Sequence, residues 1–565
     1  MLAAAARHPS GVTFVGLREE EERLPWAEVD ARARRVAGAL VARGVRPGDR
    51  VAVVLRTGPA FLDAFFGAVH AGAVPVPLYP PVRLGRMDEY AEATGRMLRV
   101  SGARAHVTSS GVAPVLGRAV AGAGAGLDLG LLDVARLLEG RETSVARAAG
   151  DLALVQFSSG STVDPKPVAL TNAALGAQVD ALTALVSPTD ADVLVSWLPL
   201  YHDMGLIGCL LGAVSYPGPL VLIAPEHFLA RPALWLRALS RHRGTISAAP
   251  HFAYAYAADR VTDADLAGTS FAPWRIALDG AEPVTPGALR RFAERLAPHG
   301  LDPGSLMPVY GLSEAALAVT FSPRGRPPLV EPVEPGVRPG EAIGPGRREV
   351  VSVGVPVPGV EVEVRGADGE PLPERRLGTI HVRGPSLMQG YLGDPRATAR
   401  VLVDGWLDTG DLGFHLGGEL FVHGRAKDVV IVRGANHAPD EFESCLEGVP
   451  GVRPGCAVAL GVVPEGGDAE VLVLLVERPR GERGPAAAVE AAVADAVAAH
   501  TGVRPHAVHV LAAGTLPRTS SGKMRRAEAL RRFQAGTLRP PRKATALSLA
   551  AEVVAGRLAR MRHRR

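Results

Sequence analysis

The chain has 565 residues, 47% of them hydrophobic and 21% charged, with a formal net charge of +4. That length exceeds what one hydrophobic core can organise, and the composition is that of a globular chain, so several domains are expected. The near-neutral balance excludes the global basic field of a protein that coats nucleic acid. From the amino terminus, "MLAAAARHPSG" places an arginine and a proline where a signal peptide needs an apolar run, so none is predicted. "EVDARARRVAGALVARGV" has helical spacing and "DRVAVVL" reads as a buried strand. "AFLDAFFGAVHAGAVPVPL" repeats helix then strand. "AGAGAGLDLG", residues 121–130, lacks the position after a strand that a dinucleotide loop needs and reads as a flexible connection. "LALVQF" is a strand, and "FSSGSTVDPKP" follows it.

Further along, "DVLVSWL" and "PLVLIA" are strands. Residues 204–225 are uncharged, but Pro217, Pro219 and Pro225 break the run, so a buried helix, a turn and a strand are expected there rather than a membrane span. Residues 323–348 hold seven prolines and five glycines, which excludes a regular helix or a central strand and predicts a long surface excursion. After "GRAKD" the order becomes strand, helix, two strands, helix, strand, a small α+β unit. The fold class is therefore α/β: a large N-terminal domain of several subdomains with layered sheets, residues 1–425, and a small mobile α+β C-terminal domain, residues 426–530. Residues 531–565 form a basic tail. Fourteen Lys and Arg stand against two acids from Thr515 onward. Cys209, Cys445 and Cys456 have no metal spacing and are odd in number, which fits a reducing, cytoplasmic setting.

The loop after "LALVQF" carries Ser158, Ser159, Gly160, Ser161, Thr162 and Lys166. Hydroxyls, backbone N–H groups, a close-approach glycine and an ammonium are what a polyphosphate needs, although the G-x-x-x-x-G-K-[ST] pattern is missing. Six blocks follow or complete it in fixed order: "SWLPLYHDMGL", "LDGAEPV", "VYGLSEAAL", "DGWLDTGDLG", "GRAKDVVIVRGANHAPDEFE" and "PRTSSGKMRR". In this order they resemble the adenylate-forming superfamily of acyl-CoA ligases, peptide-synthetase adenylation domains and luciferases, over residues 10 to 530. Within it, "SWLPLYHDMGLIG", "IVRGANHAPDEFE", "PRTSSGK" and the proline-rich segment are most similar to the fatty acyl-AMP ligases.

The resemblance implies attack of a carboxylate on the α-phosphate of ATP with release of pyrophosphate, assisted by Mg2+. The acyl group then passes to the phosphopantetheine thiol of a separate, acidic carrier protein. It implies Lys523 as the ammonium touching both reactants and Glu314 as the magnesium carboxylate. Tyr310 would stack on adenine, with Gly280, Ala281, Gly311 and Ser313 around the nucleotide. Asp411 and Arg425 would hold the ribose, and His202 would line the acyl site. Lys427 would be the hinge on which the small domain turns, withdrawing Lys523 and bringing Gly434 near. Pro167 stands where the family commonly has glycine after the loop lysine, and Val163 where many relatives have a smaller residue; both stiffen the loop. Two further expectations come from the residues. His202 and Asp203, as neighbours at a strand end, should point apart and form no direct pair. "GLSEA" lacks the last glycine of a G-x-S-x-G elbow, which argues against hydrolysis. A fatty acid is the expected substrate and the stretch 518–543 the expected docking face for the carrier. Free coenzyme A as acceptor is the alternative, and a non-catalytic nucleotide-binding relative is the remote one. No nucleic-acid partner is expected.

Overall fold

The structure, a computed structural model, describes residues 1–81, 87–123, 128–158, 165–432, 435–464, 469–482, 484–519 and 523–540. Ser159, Gly160, Ser161, Thr162, Val163, Gly434 and the tail beyond residue 540 lie outside the described residues.

A nine-stranded sheet organises the large domain. Its centre is parallel: Leu306–Gly311, Ile276–Gly280, Ile246–Pro250, Leu194–Ser196, Leu220–Ile223 and Gly11–Val15 lie side by side. Antiparallel strands such as Ala318–Phe321 and Glu21–Pro25 close its edges. The strands Ile246–Pro250 and Leu220–Ile223 are buried throughout, as short apolar runs covered by helices on both faces require. A second parallel sheet orders Val74–Pro77, Arg50–Val53, Ala105–Thr108 and Gly130–Asp133, with the helices Trp26–Ala42 and Pro59–His70 packed against each other over the same core. Residues 124–127, the middle of the stretch expected to be a flexible connection, lie outside the described residues. The helix Ala113–Ala123 runs into it and the strand Gly130–Asp133 begins at its end.

One face of the large sheet is packed by aromatic rings. Trp235 meets Trp197, Phe228, Tyr254 and Trp274 edge-on, at centroid separations of 5.5–6.5 Å. Trp235, Trp274, Phe228 and Tyr254 are among the largest fully buried side chains. Rings of this size dominate core energetics, so this layer is the rigid floor beneath the strand ends.

An antiparallel sheet built around Trp406–Leu416 and Glu419–Arg425 follows. The proline-rich excursion lies on it. Its strand Val330–Val333 pairs with Arg348–Val351, and Val333, Val337, Ile343 and Val350 bury themselves against Leu412, Phe414 and Phe421. The excursion is thus anchored by four spaced aliphatics, and its prolines sit where no central ladder needs their N–H. The last unit carries the hairpin Val430–Val432 and Ala435–His437, then the sheet Ala457–Val462, Val471–Glu477 and Ala507–Leu511, with the helices Ala486–Thr501 and Arg526–Gln534 against it. None of the described helices is long and apolar enough to cross a membrane. Residues 204–225 form a π-helix Met204–Leu211, a short helix Gly212–Ser215 and the strand Leu220–Ile223.

Candidate active site

The carboxyl ends of the parallel strands open into a cavity of about 1510 Å3, closed on the far side by the small unit. Crevices at strand ends are where open α/β sheets bind ligands. Ser158, Lys166, His202, Asp203, Ala281, Tyr310, Gly311, Ser313, Glu314, Asp411, Arg425, Lys427 and Lys523 all line it.

Asp411 and Arg425 are directly opposite each other in adjoining antiparallel strands. That register puts Arg425 Nε 3.1 Å from Asp411 Oδ1, while the Tyr310 hydroxyl donates to Asp411 Oδ2 at 2.7 Å. Asp411 is buried, and burial pushes its carboxyl up; Arg425 and Tyr310 oppose that without cancelling it. A bulge at Tyr310/Gly311 turns the end of that strand. Only glycine fits at 311, because a Cβ there would lie 1.8 Å from the Leu317 carbonyl. Gly280 is similarly pressed, with Val309 Cγ2 at 2.8 Å from where a Cβ would sit, and Ala281 holds a positive φ of 68°. Backbone strain in a non-glycine residue beside a cavity marks a place where the wall shape has been kept at a cost.

Glu314 is held by a partner that sequence reasoning missed. The Tyr391 hydroxyl donates to Glu314 Oε1 at 2.9 Å, and the Lys166 ammonium sits 4.4 Å from the centroid of the same ring. Tyr391 therefore couples the loop lysine to the carboxylate, a cation–π contact on its face and a hydrogen bond from its edge. Burial raises the Glu314 carboxyl above its ordinary range, against the pull of Tyr391, Arg425 and Lys166. "MQGYLGD" offers little in sequence to find this tyrosine, since an isolated aromatic in a short edge strand usually packs. Lys166 keeps its place despite Pro167: its N–H bonds Ser158 Oγ at 3.1 Å, and Ser158 N–H bonds the Lys166 carbonyl at 2.9 Å.

His202 and Asp203 do form a direct pair, contrary to the strand-end argument. His202 Nδ1 lies 2.7 Å from Asp203 Oδ1. The chain has already turned helical here: Asp203 has φ −51° and caps the π-helix by accepting from Met204 N–H at 2.7 Å, so the two side chains converge. Ser313 donates a hydrogen bond to Asp203 Oδ2. Burial alone would raise this carboxyl, but His202, Lys523 and Ser313 together hold it well below the usual range. His202 Nε2 is buried with no protein partner among the described residues.

Lys523 comes from the small unit, its strand-like turn closed by Thr519 N–H to the Lys523 carbonyl at 2.8 Å and Lys523 N–H to Thr519 Oγ1 at 3.0 Å. Burial lowers its ammonium pKa, opposed by the fields of Asp203, Glu282 and Asp411. The lysine thus faces the Asp203 cluster and the Asp411–Arg425 pair at once. Lys427 lies on the strand exit beside them, where Ala426 N–H bonds the Gly410 carbonyl and Asp428 N–H the Arg425 carbonyl.

Part of the cavity lining is apolar and small: Gly208, Cys209, Gly212 and Ala213 line it together with Leu182, Ile246, Leu317 and Tyr216, and Leu317 Cδ2 lies 3.0 Å from where a Cβ on Gly208 would sit. Within the stretch expected to dock a carrier, three arginines are paired inside the protein, and residues 541–543 lie outside the described residues. Arg526 bonds Glu443, Arg531 and Arg532 bond Glu528, and Arg532 also reaches Glu89. Among the described residues no group of three or more His, Cys, Asp or Glu could form a metal cage. Magnesium needs no such cage, since it binds through one or two carboxylates plus substrate phosphates and water, and Glu314 is one of the carboxylates lining the cavity.

The model of the AMP-binding enzyme family matches residues 2–392. A Caulobacter vibrioides protein provisionally named an acyl-CoA synthetase is 36% identical over 546 residues, 94% of each chain. The long-chain-fatty-acid–AMP ligase FadD26 of Mycobacterium marinum is 34% identical over 550 residues, 91% of this chain and 92% of that one. A solved chain from a study of fatty acyl-adenylate ligases of E. coli and L. pneumophila superposes with a TM-score of 0.86 at 34% identity, covering 95% of this chain and 97% of the other.

Proposed function

The chain belongs to the family of AMP-binding enzymes, and from that premise we propose that it activates a fatty acid with ATP and passes the acyl group to the phosphopantetheine thiol of a carrier protein. In the first step a carboxylate oxygen attacks the α-phosphorus, the bond to the bridging oxygen breaks, and pyrophosphate leaves with its electron pair. Two anions must meet, so preorganised positive charge is the main requirement. Lys523 and Arg425 supply it from one side and Lys166 from the other. Asp411 and Tyr310 orient the ribose and base, with Gly280, Ala281, Gly311 and Ser313 as the surrounding wall. A magnesium ion held by Glu314 would neutralise phosphate charge. Ser159, Gly160, Ser161 and Thr162 complete the phosphate loop in this reading.

The observation that carries the proposal is the convergence of Lys523, Asp203, Asp411, Arg425 and Glu314 on one cavity with a partly apolar lining. The small residues of the apolar lining leave room for an aliphatic chain, and His202 lines the same cavity. The carrier as acceptor is favoured by what the excursion touches. Arg348, on its exit strand, bonds Asp440 at 2.5 Å and Glu441 at 3.3 Å in the small unit, and Gly336 packs beside Ala435 and His437. These ties restrain, without abolishing, the movement of residues 426–530 about Lys427 that coenzyme A use would need.

The test supplies ATP, Mg2+ and carboxylic acids of graded length and follows pyrophosphate and acyl-adenylate, then adds coenzyme A or a phosphopantetheinylated carrier. Rapid thioester formation with free coenzyme A would refute the acceptor assignment. Pyrophosphate release that no acid stimulates would refute adenylation.

A further inference from the structure

A second set of buried groups lies on the same cavity and takes no part in the chemistry above. His251 follows Pro250, which is paired with Gly280 at the strand ends, so it stands next to the nucleotide wall. It is 7% exposed, and Asp279 is fully buried. His251 Nδ1 lies 2.7 Å from Asp279 Oδ2. On its other side, the Thr285 backbone N–H donates to Nε2 at 3.0 Å and Thr285 Oγ1 lies 2.8 Å from the same atom. A nitrogen that receives an N–H is an acceptor. The ring is thereby fixed with its proton on Nδ1, toward Asp279, and the Nε2 lone pair on the Thr285 side, where it meets the backbone N–H and lies within reach of the hydroxyl. Asp279 Oδ1 has no partner among the described residues. A wholly buried carboxylate with one unpaired oxygen is expensive to keep for packing alone.

The Thr285 hydroxyl at present reaches across to the small unit, donating to Glu447 Oε1 at 2.9 Å, and Arg291 holds Glu447 Oε2 at 3.1 Å. His251, Glu282, Thr285, Arg291 and Glu447 all line the cavity that holds Lys523. Resting on the acyl-transfer reading, we propose that His251, oriented by Asp279 and acting through the Thr285 hydroxyl, is the general base for the acceptor thiol, and that Glu447 shields this relay until the small unit moves.

The step balances. Sulfur forms a bond to the acyl carbonyl carbon, the carbon–oxygen bond to AMP breaks, and its electron pair leaves on the phosphate. The thiol proton passes to Thr285 Oγ as the Thr285 hydroxyl proton passes to His251 Nε2. The charged groups facing the ring are Asp279 and Glu282 from the large domain and Glu447 from the small one. Burial disfavours the imidazolium, but these carboxylates outweigh it and lift the histidine pKa above its ordinary value.

The test uses purified full-length protein, preformed acyl-adenylate and pantetheine, the thiol shared by coenzyme A and carrier arms. Pyrophosphate exchange is measured in parallel. For His251→Ala and Thr285→Val, transfer should fall about 10²-fold more than exchange. The deficit should shrink as pH rises past about 8.5, where the thiol ionises unaided. The acid limb of the wild-type transfer profile should vanish in His251→Ala, and added imidazole should restore part of the rate. Asp279→Asn should weaken transfer and displace that limb. Transfer and exchange falling together, or an unchanged pH profile, would overturn the inference while leaving the adenylation reading intact. A wild type that makes acyl-adenylate but no thioester would sink the acceptor reading and this inference with it.

Discussion

Replacing Lys523 by alanine tests the charge arrangement most directly. The ammonium belongs to a residue lining the cavity and feels Asp203, Glu282 and Asp411. A unit charge about 4 Å from an anion, at the effective dielectric of about 20 typical of such sites, is worth about 4 kcal/mol. Arg425 and Lys166 remain in the variant, so only the share that grows in the transition state is lost. Removing one preorganised donor of this kind costs about 2.7–4 kcal/mol, or 10²–10³ in rate. Acid-stimulated ATP–pyrophosphate exchange should fall by that factor, with the KM for ATP little changed. Arginine should not restore it, since a planar fork cannot fill the place of a compact ammonium at the end of a flexible stem. The fold should tolerate the change, because His202 and Ser313 still hold Asp203 and Arg425 still holds Asp411. An alanine variant that exchanges within about threefold of wild type would refute the reasoning, as the cleft would then not depend on the charge brought by the small unit.

Arg348→Ala should remove the ion pair of Asp440 and one of several partners of Glu441, which keeps His437 and the Ala438 N–H. A loss of about 1–3 kcal/mol is expected, read by thermal or urea unfolding. Gly212→Leu should fill the apolar part of the cavity, because almost nothing lies near the added Cβ. Activity should fall about tenfold for the longest acids and persist for short ones in the acid panel. Glu528 is pushed up by burial, but its bonds to Arg531 and Arg532 dominate and bring it to about 2, from an ordinary 4.5. A depressed carboxyl stabilises the fold above its unfolded value. That contribution should fade as pH falls from about 4.5 toward 2, and Glu528→Gln should flatten the stability profile there. Tyr391→Phe removes the hydroxyl on Glu314 while keeping the ring under Lys166. Adenylation should weaken and need more magnesium, measured by metal titration of exchange.

Period and order carried the layered sheets, the small α+β unit and the six ordered blocks, because hydrophobic periodicity and loop chemistry are local properties of a chain. The glycines at 280 and 311 were readable as motif residues, but why they must be glycine depends on Val309 and on the Leu317 carbonyl, which only packing brings near. The strand-end argument for His202 and Asp203 failed because a π-helix begins at Met204, one residue beyond the pair, and no periodicity announces that turn. Composition at residues 518–543 shows a run of positive charge; only the fold shows that Arg526, Arg531 and Arg532 within it pair with Glu443, Glu528 and Glu89, the last of them 443 positions from Arg532 in the chain. Tyr391 beneath Lys166 and His251 between Asp279 and Thr285 are likewise products of strand register and domain contact. What the linear chain determined is which chemical groups are present and in what order. Which of them share a cavity, and which neutralise one another before a substrate arrives, was decided by tertiary structure, because charge and hydrogen bonding act through space at distances the sequence does not encode.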